Sequence, residues 1–149
     1  MLHDSPNENL TANIKKQPRK VLLHLGTNDI VKESVENLKK EYKQLTTLAR
    51  SKFPEARIYL SSIFCRKNRN DPLNESIKTM NRFIEDFCDT APRFTFVDNG
   101  NISHKDMRDP KHVNDTGFDT FVWNIRTAVF GESYHSFSES YHSSKRGRR

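Results

Sequence analysis

The stretch "DPKHVNDTG" sets Asp109 and His112 three residues apart, just ahead of a helical pattern. On a turn of chain entering a helix, that spacing brings two side chains to the same side. A carboxylate placed there accepts from one imidazole nitrogen and leaves the other free as a base, the orienting arrangement of a catalytic triad. The same spacing fits a turn or capping aspartate beside an exposed loop histidine. The second candidate is "GTND", where Asn28 follows Gly26 at the end of the apolar run "LLHL". An Asn amide can donate to a developing oxyanion, and glycine lets the backbone approach closely. Those four residues also read as a plain strand-to-helix turn in which Asn28 or Asp29 caps the helix that follows.

Both strings need elements to hold them. "KVLLHLG" is a continuous apolar run closed by glycine, the pattern of a parallel strand covered on both faces, and it predicts a strand over 20–25. From Ser34 to Lys52 the apolar positions Val35, Leu38, Tyr42, Leu45, Leu48 and Ala49 recur at helical spacing. "RIYLSSIF" follows as a second strand, with Ser61 and Ser62 near its carboxyl end. After the polar loop "CRKNRNDP", Asn74 to Cys88 is helical, with Asp71-Pro72 as its start signal. "RFTFVDNG" is a third strand ending in a turn. Asn114 or Asp115 caps a last helix striped by Phe118, Phe121, Val122, Ile125 and Val129. Leu10 and Ile14 suggest a further short helix before Gln17-Pro18.

Strict alternation of helix and strand implies an α/β sandwich with a parallel sheet and right-handed crossovers. Ligands of such sheets bind beyond the carboxyl ends of the strands, so the loops 26–29, 61–71 and 98–114 are where chemistry belongs.

With 149 residues, the chain suits one domain with its own core. Its apolar fraction of 34% and mean hydropathy of −0.85 are low, so polar ends are expected to dilute the folded part. Three segments result: an N-terminal piece over 1–17, a domain over 18–131, and a disordered tail over 132–149 in which "ESYHS" occurs twice before "SKRGRR". Net charge is +6, of which the tail supplies +2. That balance permits contacts with RNA or an acidic surface through 145–149 without demanding them. Cys65 and Cys88 have no metal-ligand spacing and no disulfide framework, and the expectation is reduced thiols. No stretch reaches the ~20 apolar residues of a membrane span, and "MLHDSPNENL" has no leader pattern; a cytoplasmic chain is expected.

Taken in order, "GTND" after an apolar strand and "DPKHVN" before the last helix resemble the third and fifth sequence blocks of the SGNH (GDSL-type) hydrolases. The intervening "SVENLKKEYKQLTTLARSKFPEARIYLSSI" and "MNRFIEDF" with "FTFVDN" resemble them too, particularly the esterase-like domains of non-LTR retrotransposons. The resemblance covers about residues 18–130. It implies a flavodoxin-like parallel sheet in a three-layer sandwich, and ester hydrolysis through a serine acyl-enzyme without metal or cofactor. Residue by residue, it implies Asn28 as an oxyanion donor beside Gly26, His112 as general base and Asp109 as its orienting partner. The first block, Gly-Asp-Ser, and the second-block glycine have no counterpart here. Asp4-Ser5 in "HDSP" lacks the preceding strand and glycine and is rejected as nucleophile. The expectation is therefore a truncated or degenerate esterase domain with little activity of its own, the strand at 20–25 left as an apolar edge open to a partner chain. The alternative is a non-catalytic module of the same fold that binds RNA or an acidic surface through its tail.

Overall fold

A computed structural model describes residues 16–131. The short helix expected around Leu10 and Ile14, Ser5 and the tail 132–149 lie outside the described residues.

Three strands, β1 (Lys20–His24), β2 (Arg57–Ser61) and β3 (Phe94–Val97), form one parallel sheet in the order β1-β2-β3. The helices are α1 (Asp29–Lys32), α2 (Val35–Lys52), α3 (Leu73–Thr90) and α4 (Asp115–Phe130), with a 3-10 turn at His104–Asp106. α2 starts where the apolar stripe does because Ser34 caps it, its hydroxyl accepting the Asn37 N–H at 3.2 Å.

Alternation along the strands assigns the layers. Val21, Leu23, Ile58, Leu60, Phe94 and Phe96 face α2 and α3, packing with Leu38, Tyr42, Ile77, Met80 and Ile84. The opposite set includes His24, whose ring meets Phe121 of α4. The sheet is thus sandwiched between α2 and α3 on one side and α4 on the other, the α/β architecture that the pattern predicts. Ile58, Leu60 and Ile84 are fully buried at its centre.

β1 ends at His24 where 20–25 is expected, and α3 spans Leu73–Thr90 where 74–88 is expected; two larger differences lie near the carboxyl rim of the sheet. β2 stops at Ser61 instead of running through Phe64, because the Ile63 backbone leaves the ladder for a side chain. Asn81 of α3 accepts the Ile63 N–H at 2.7 Å and donates to its carbonyl at 2.9 Å. A separate single turn, α1, fills the interval between "GTND" and Ser34.

β1 bonds to β2 alone, so its outer edge faces no strand among the described residues. Leu22 is 37% exposed there. Among the described residues no helix is long and apolar enough to cross a membrane.

Candidate active site

At the carboxyl end of β1 the chain reverses through Gly26, whose φ of +102° lies in the left-handed region. That φ is what calls for glycine; a Cβ there would also press on the tip of Ile63, 2.8 Å from its Cδ1. The Gly26 carbonyl accepts the Ile30 N–H at 3.0 Å and opens α1. Asn28 stands at the cap position of α1 but makes no capping bond with its side chain. Its Oδ1 instead accepts from Lys111 Nζ at 3.0 Å, across 83 residues of sequence. The Asn28 amide nitrogen makes no hydrogen bond among the described residues.

His112 sits in a loop closed at its base. Met107 and Val113 form an antiparallel bridge, and the Arg108 N–H donates to the His112 carbonyl at 2.8 Å. Asn114 ties this loop to α4: its Oδ1 accepts the Gly117 N–H at 2.9 Å and its Nδ2 donates to Lys105 O at 3.0 Å. Inside the loop, Asp109 Oδ1 accepts the N–H groups of Lys111 at 3.0 Å and His112 at 2.9 Å. The same carboxylate lies 2.9 Å from His112 Nδ1 through each of its oxygens. Asp109 is therefore both turn residue and imidazole partner, and the two sequence readings are one arrangement. The Lys111 N–H foremost, then the His112 side chain and N–H, hold its carboxyl down to about 2. It is ionised at any pH near neutral, which fixes the proton on Nδ1 and leaves Nε2 as the available base.

The loop after β2 braces both walls. The buried Arg66 donates from Nη2 to the Thr27 carbonyl at 2.9 Å. Lys67, next to it, donates from Nζ to Arg108 O at 3.0 Å and from its backbone to Pro110 O at 3.3 Å. Sequence reasoning passed over Arg66, Lys67 and Lys111; long cations in polar loops between two candidate strings were the available sign.

No hydroxyl or thiol hydrogen-bonds to His112 among the described residues. Ser61 is fully buried and belongs to a different network. Its Oγ lies 2.9 Å from His24 Nδ1 and accepts from Asn99 Nδ2 at 2.8 Å. Asn99 Oδ1 in turn accepts from Asn124 of α4 at 3.0 Å. Ser62 Oγ accepts the Asn99 N–H at 2.9 Å. A serine beside a histidine has the composition of a nucleophile and base, but here Ser61 is fully buried and His24 only partly exposed. Cys65 and Cys88 are free thiols raised by burial, Cys88 to about 12, so neither is a ready thiolate at neutral pH. No group of three or more His, Cys, Asp or Glu positioned to hold a metal occurs among the described residues.

Burial holds the His24 imidazole below its ordinary value of 6.5. The unfolded chain then takes up the proton first, so the stability due to neutral His24 is complete above 6.5 and is lost as pH falls through that value toward the folded one. Ser61 can donate to the neutral Nδ1; protonation forces its hydrogen toward the Ser62 carbonyl, a longer 3.4 Å contact. Urea midpoints measured from pH 8 to 5 should fall in the wild type and be flatter in His24→Phe.

An Asp-bound imidazole and a side-chain amide on the carboxyl rim of a parallel α/β sheet can shuttle a proton and steady a negative oxygen, as hydrolases do. The comparisons lie in that direction. The chain is 31% identical over 108 residues to the platelet-activating factor acetylhydrolase IB subunit beta homolog of Drosophila melanogaster, covering 67% of this chain and 48% of that protein. It is 26% identical over 110 residues to the human platelet-activating factor acetylhydrolase IB subunit alpha1, covering 68% and 47%. The chain thus spans about half the length of the curated relatives it matches. A solved structure from Streptococcus pneumonia, provisionally described as a platelet activating factor, superposes with a TM-score of 0.63 over 72% of this chain and 57% of that one. At 19% identity that likeness concerns the fold, which is of the flavodoxin-like kind. No family model matches the chain.

Proposed function

We propose that these residues form the base and oxyanion side of an SGNH-type ester hydrolase site. The observation that carries this reading is the Lys111 bridge. It joins the Asn28 turn to the loop in which Asp109 holds His112, so two distant strings share one rim. The similarity to acetylhydrolase subunits supports the same reaction class.

In this reading a serine hydroxyl attacks the ester carbonyl while His112 Nε2 takes its proton. The carbonyl oxygen, now negative, is met by the Asn28 amide, with Gly26 allowing close approach of the backbone. His112 returns the proton to the leaving alcohol, and water then releases the acyl group by the same route. Asp109 orients the imidazole and stabilises its charged form.

No serine stands against His112 among the described residues. We therefore assign the attacking serine to another chain, and take this polypeptide by itself to be inert. The relatives are named as subunits, and the open edge of β1 is where we place a partner strand. The narrower likeness to retrotransposon esterase-like domains rests on the intervening stretches "SVENLKKEYKQLTTLARSKFPEARIYLSSI" and "MNRFIEDF" with "FTFVDN".

The test is hydrolysis of p-nitrophenyl acetate by the purified full chain. The expected rate equals that of His112→Ala, and a fluorophosphonate probe leaves no adduct on the intact mass. Turnover that His112→Ala abolishes overturns the inert reading. Its further loss in Ser5→Ala would place the nucleophile at Ser5.

A further inference from the structure

A cavity of about 570 Å³ opens between α3, the loop after β2 and the turn after β3. That volume falls within the roughly 300–1,000 Å³ of small-molecule sites, and the position beyond the carboxyl ends of β2 and β3 is where sheets of this type take ligands. Asn28, Asp109 and His112 do not line it. Arg66 of its lining also braces the rim at Thr27, so cavity and rim lie on opposite sides of the loop after β2, with no shared contact residue proposed for either ligand.

Its lining has two characters. Ile63, Ile77 and Ile102 are buried and Phe96 is half-buried, which supplies an apolar wall. Against it stand four cations: Arg66 and Arg69 from the loop, Lys78 and Arg82 from α3. Lys78 and Arg82 are four residues apart and so share one face of the helix.

Two carboxylates, Asp98 and Glu85, share the lining, but neither pairs with an arginine among the described residues. Asp98 Oδ1 instead accepts the Gly100 N–H at 2.7 Å. Glu85 lies three residues beyond Arg82 and forms no ion pair among the described residues. Lys78 meets Glu75 at 3.3 Å, but both side chains are at least 75% exposed, so that contact is easily exchanged. Among the described residues Arg69 Nη2 meets only His104 Nε2, at 3.3 Å. Arg82 makes no hydrogen bond or ion pair among the described residues.

Arg66 is the strongest sign. It is 4% exposed, has no carboxylate partner among the described residues, and its Nε is buried without a hydrogen bond. An uncompensated buried cation is costly, and an anion beside it offsets the cost.

We propose that this cavity binds a small phosphate monoester with an apolar body, its oxygens held by Arg69, Lys78 and Arg82 and its body against Phe96 and the isoleucines. A carboxylate satisfies one guanidinium fork. Several cations without carboxylate partners suit a group with three terminal oxygens and nearly two charges. The inference is independent of the ester hydrolase reading, since the two sites share no proposed contact residue.

The full chain is titrated by calorimetry with phenyl phosphate, inorganic phosphate and benzyl alcohol, with amide shifts followed by NMR. Phenyl phosphate should saturate one site at least about tenfold more tightly than either fragment. Its affinity should fall about tenfold in Arg82→Gln and in Arg69→Gln, each losing a charge-assisted contact. The exposed Lys40→Gln, on α2, should change nothing. Amides of 63–69 and 96–104 should shift, and His112→Ala should bind as the wild type does.

Equal affinity for phenyl phosphate and benzyl alcohol overturns the proposal in favour of a merely apolar crevice. Binding lost in His112→Ala moves the ligand to the rim site. Tight binding of a single-stranded RNA without binding of phenyl phosphate replaces the small ligand with a polymer.

Discussion

Asn99→Ala is expected to lower the unfolding free energy by about 3 kcal/mol, read from the urea midpoint at constant slope. Asn99 is 3% exposed and follows β3, and its one side chain serves three partners. Nδ2 donates to Ser61 Oγ at 2.8 Å and to the Ser62 carbonyl at 3.0 Å, while Oδ1 accepts from Asn124 at 3.0 Å. Truncation removes three buried bonds, each worth roughly 0.5–1.5 kcal/mol, while Ser61 keeps His24 and Asn124 keeps Asn101. The cavity adds little for so small a side chain, so the lost bonds decide the size. Replacing Asn124 with Leu in the same chain should return part of the loss, because both ends of one bond then disappear together. A single-variant loss below about 1 kcal/mol would mean that water satisfies the network after truncation.

The second large effect is expected at Gly117→Ala, a change that improves most exposed helices by up to ~1 kcal/mol. Here a Cβ would lie 2.5 Å from the Asp106 carbonyl oxygen and 2.8 Å from Val113 Cβ. Backbone cannot swing aside as a flexible side chain can. Overpacking of about 1–3 kcal/mol then outweighs the propensity gain, and a fall in Tm of about 5 °C should follow. Because Asp106 and Val113 flank the His112 loop, the His112 ring resonances should move as well. A higher Tm with unchanged His112 signals would show that α4 slides outward without strain.

The elements were legible because their periods differ. The β1 run and the stripes of α2 and α3 need only local spacing. So did the Asp109–His112 pair, since three residues on one turn meet whatever the rest of the chain does. Asn28 was legible as a residue type but not in its contact: capping and bridging differ by the presence of Lys111, 83 residues away. The end of β2 was hidden because Ser62 to Phe64 stay apolar enough for a strand, while the deciding bond comes from Asn81. The Ser61–His24–Asn99–Asn124 network depends on the register of β1, β2 and β3, which no local pattern encodes. Its one visible sign was an asparagine, Asn124, among the apolar positions of α4.

The open edge of β1 also makes the stability of this chain a function of what surrounds it. A strand that binds that edge and not the unfolded chain adds RT ln(1 + [L]/Kd), about 2.7 kcal/mol at a hundredfold excess over Kd. β1 ends in the Gly26 turn, so the same mass action tightens the support of Asn28. The midpoint of unfolding and the order of the rim are then two readings of one partner concentration.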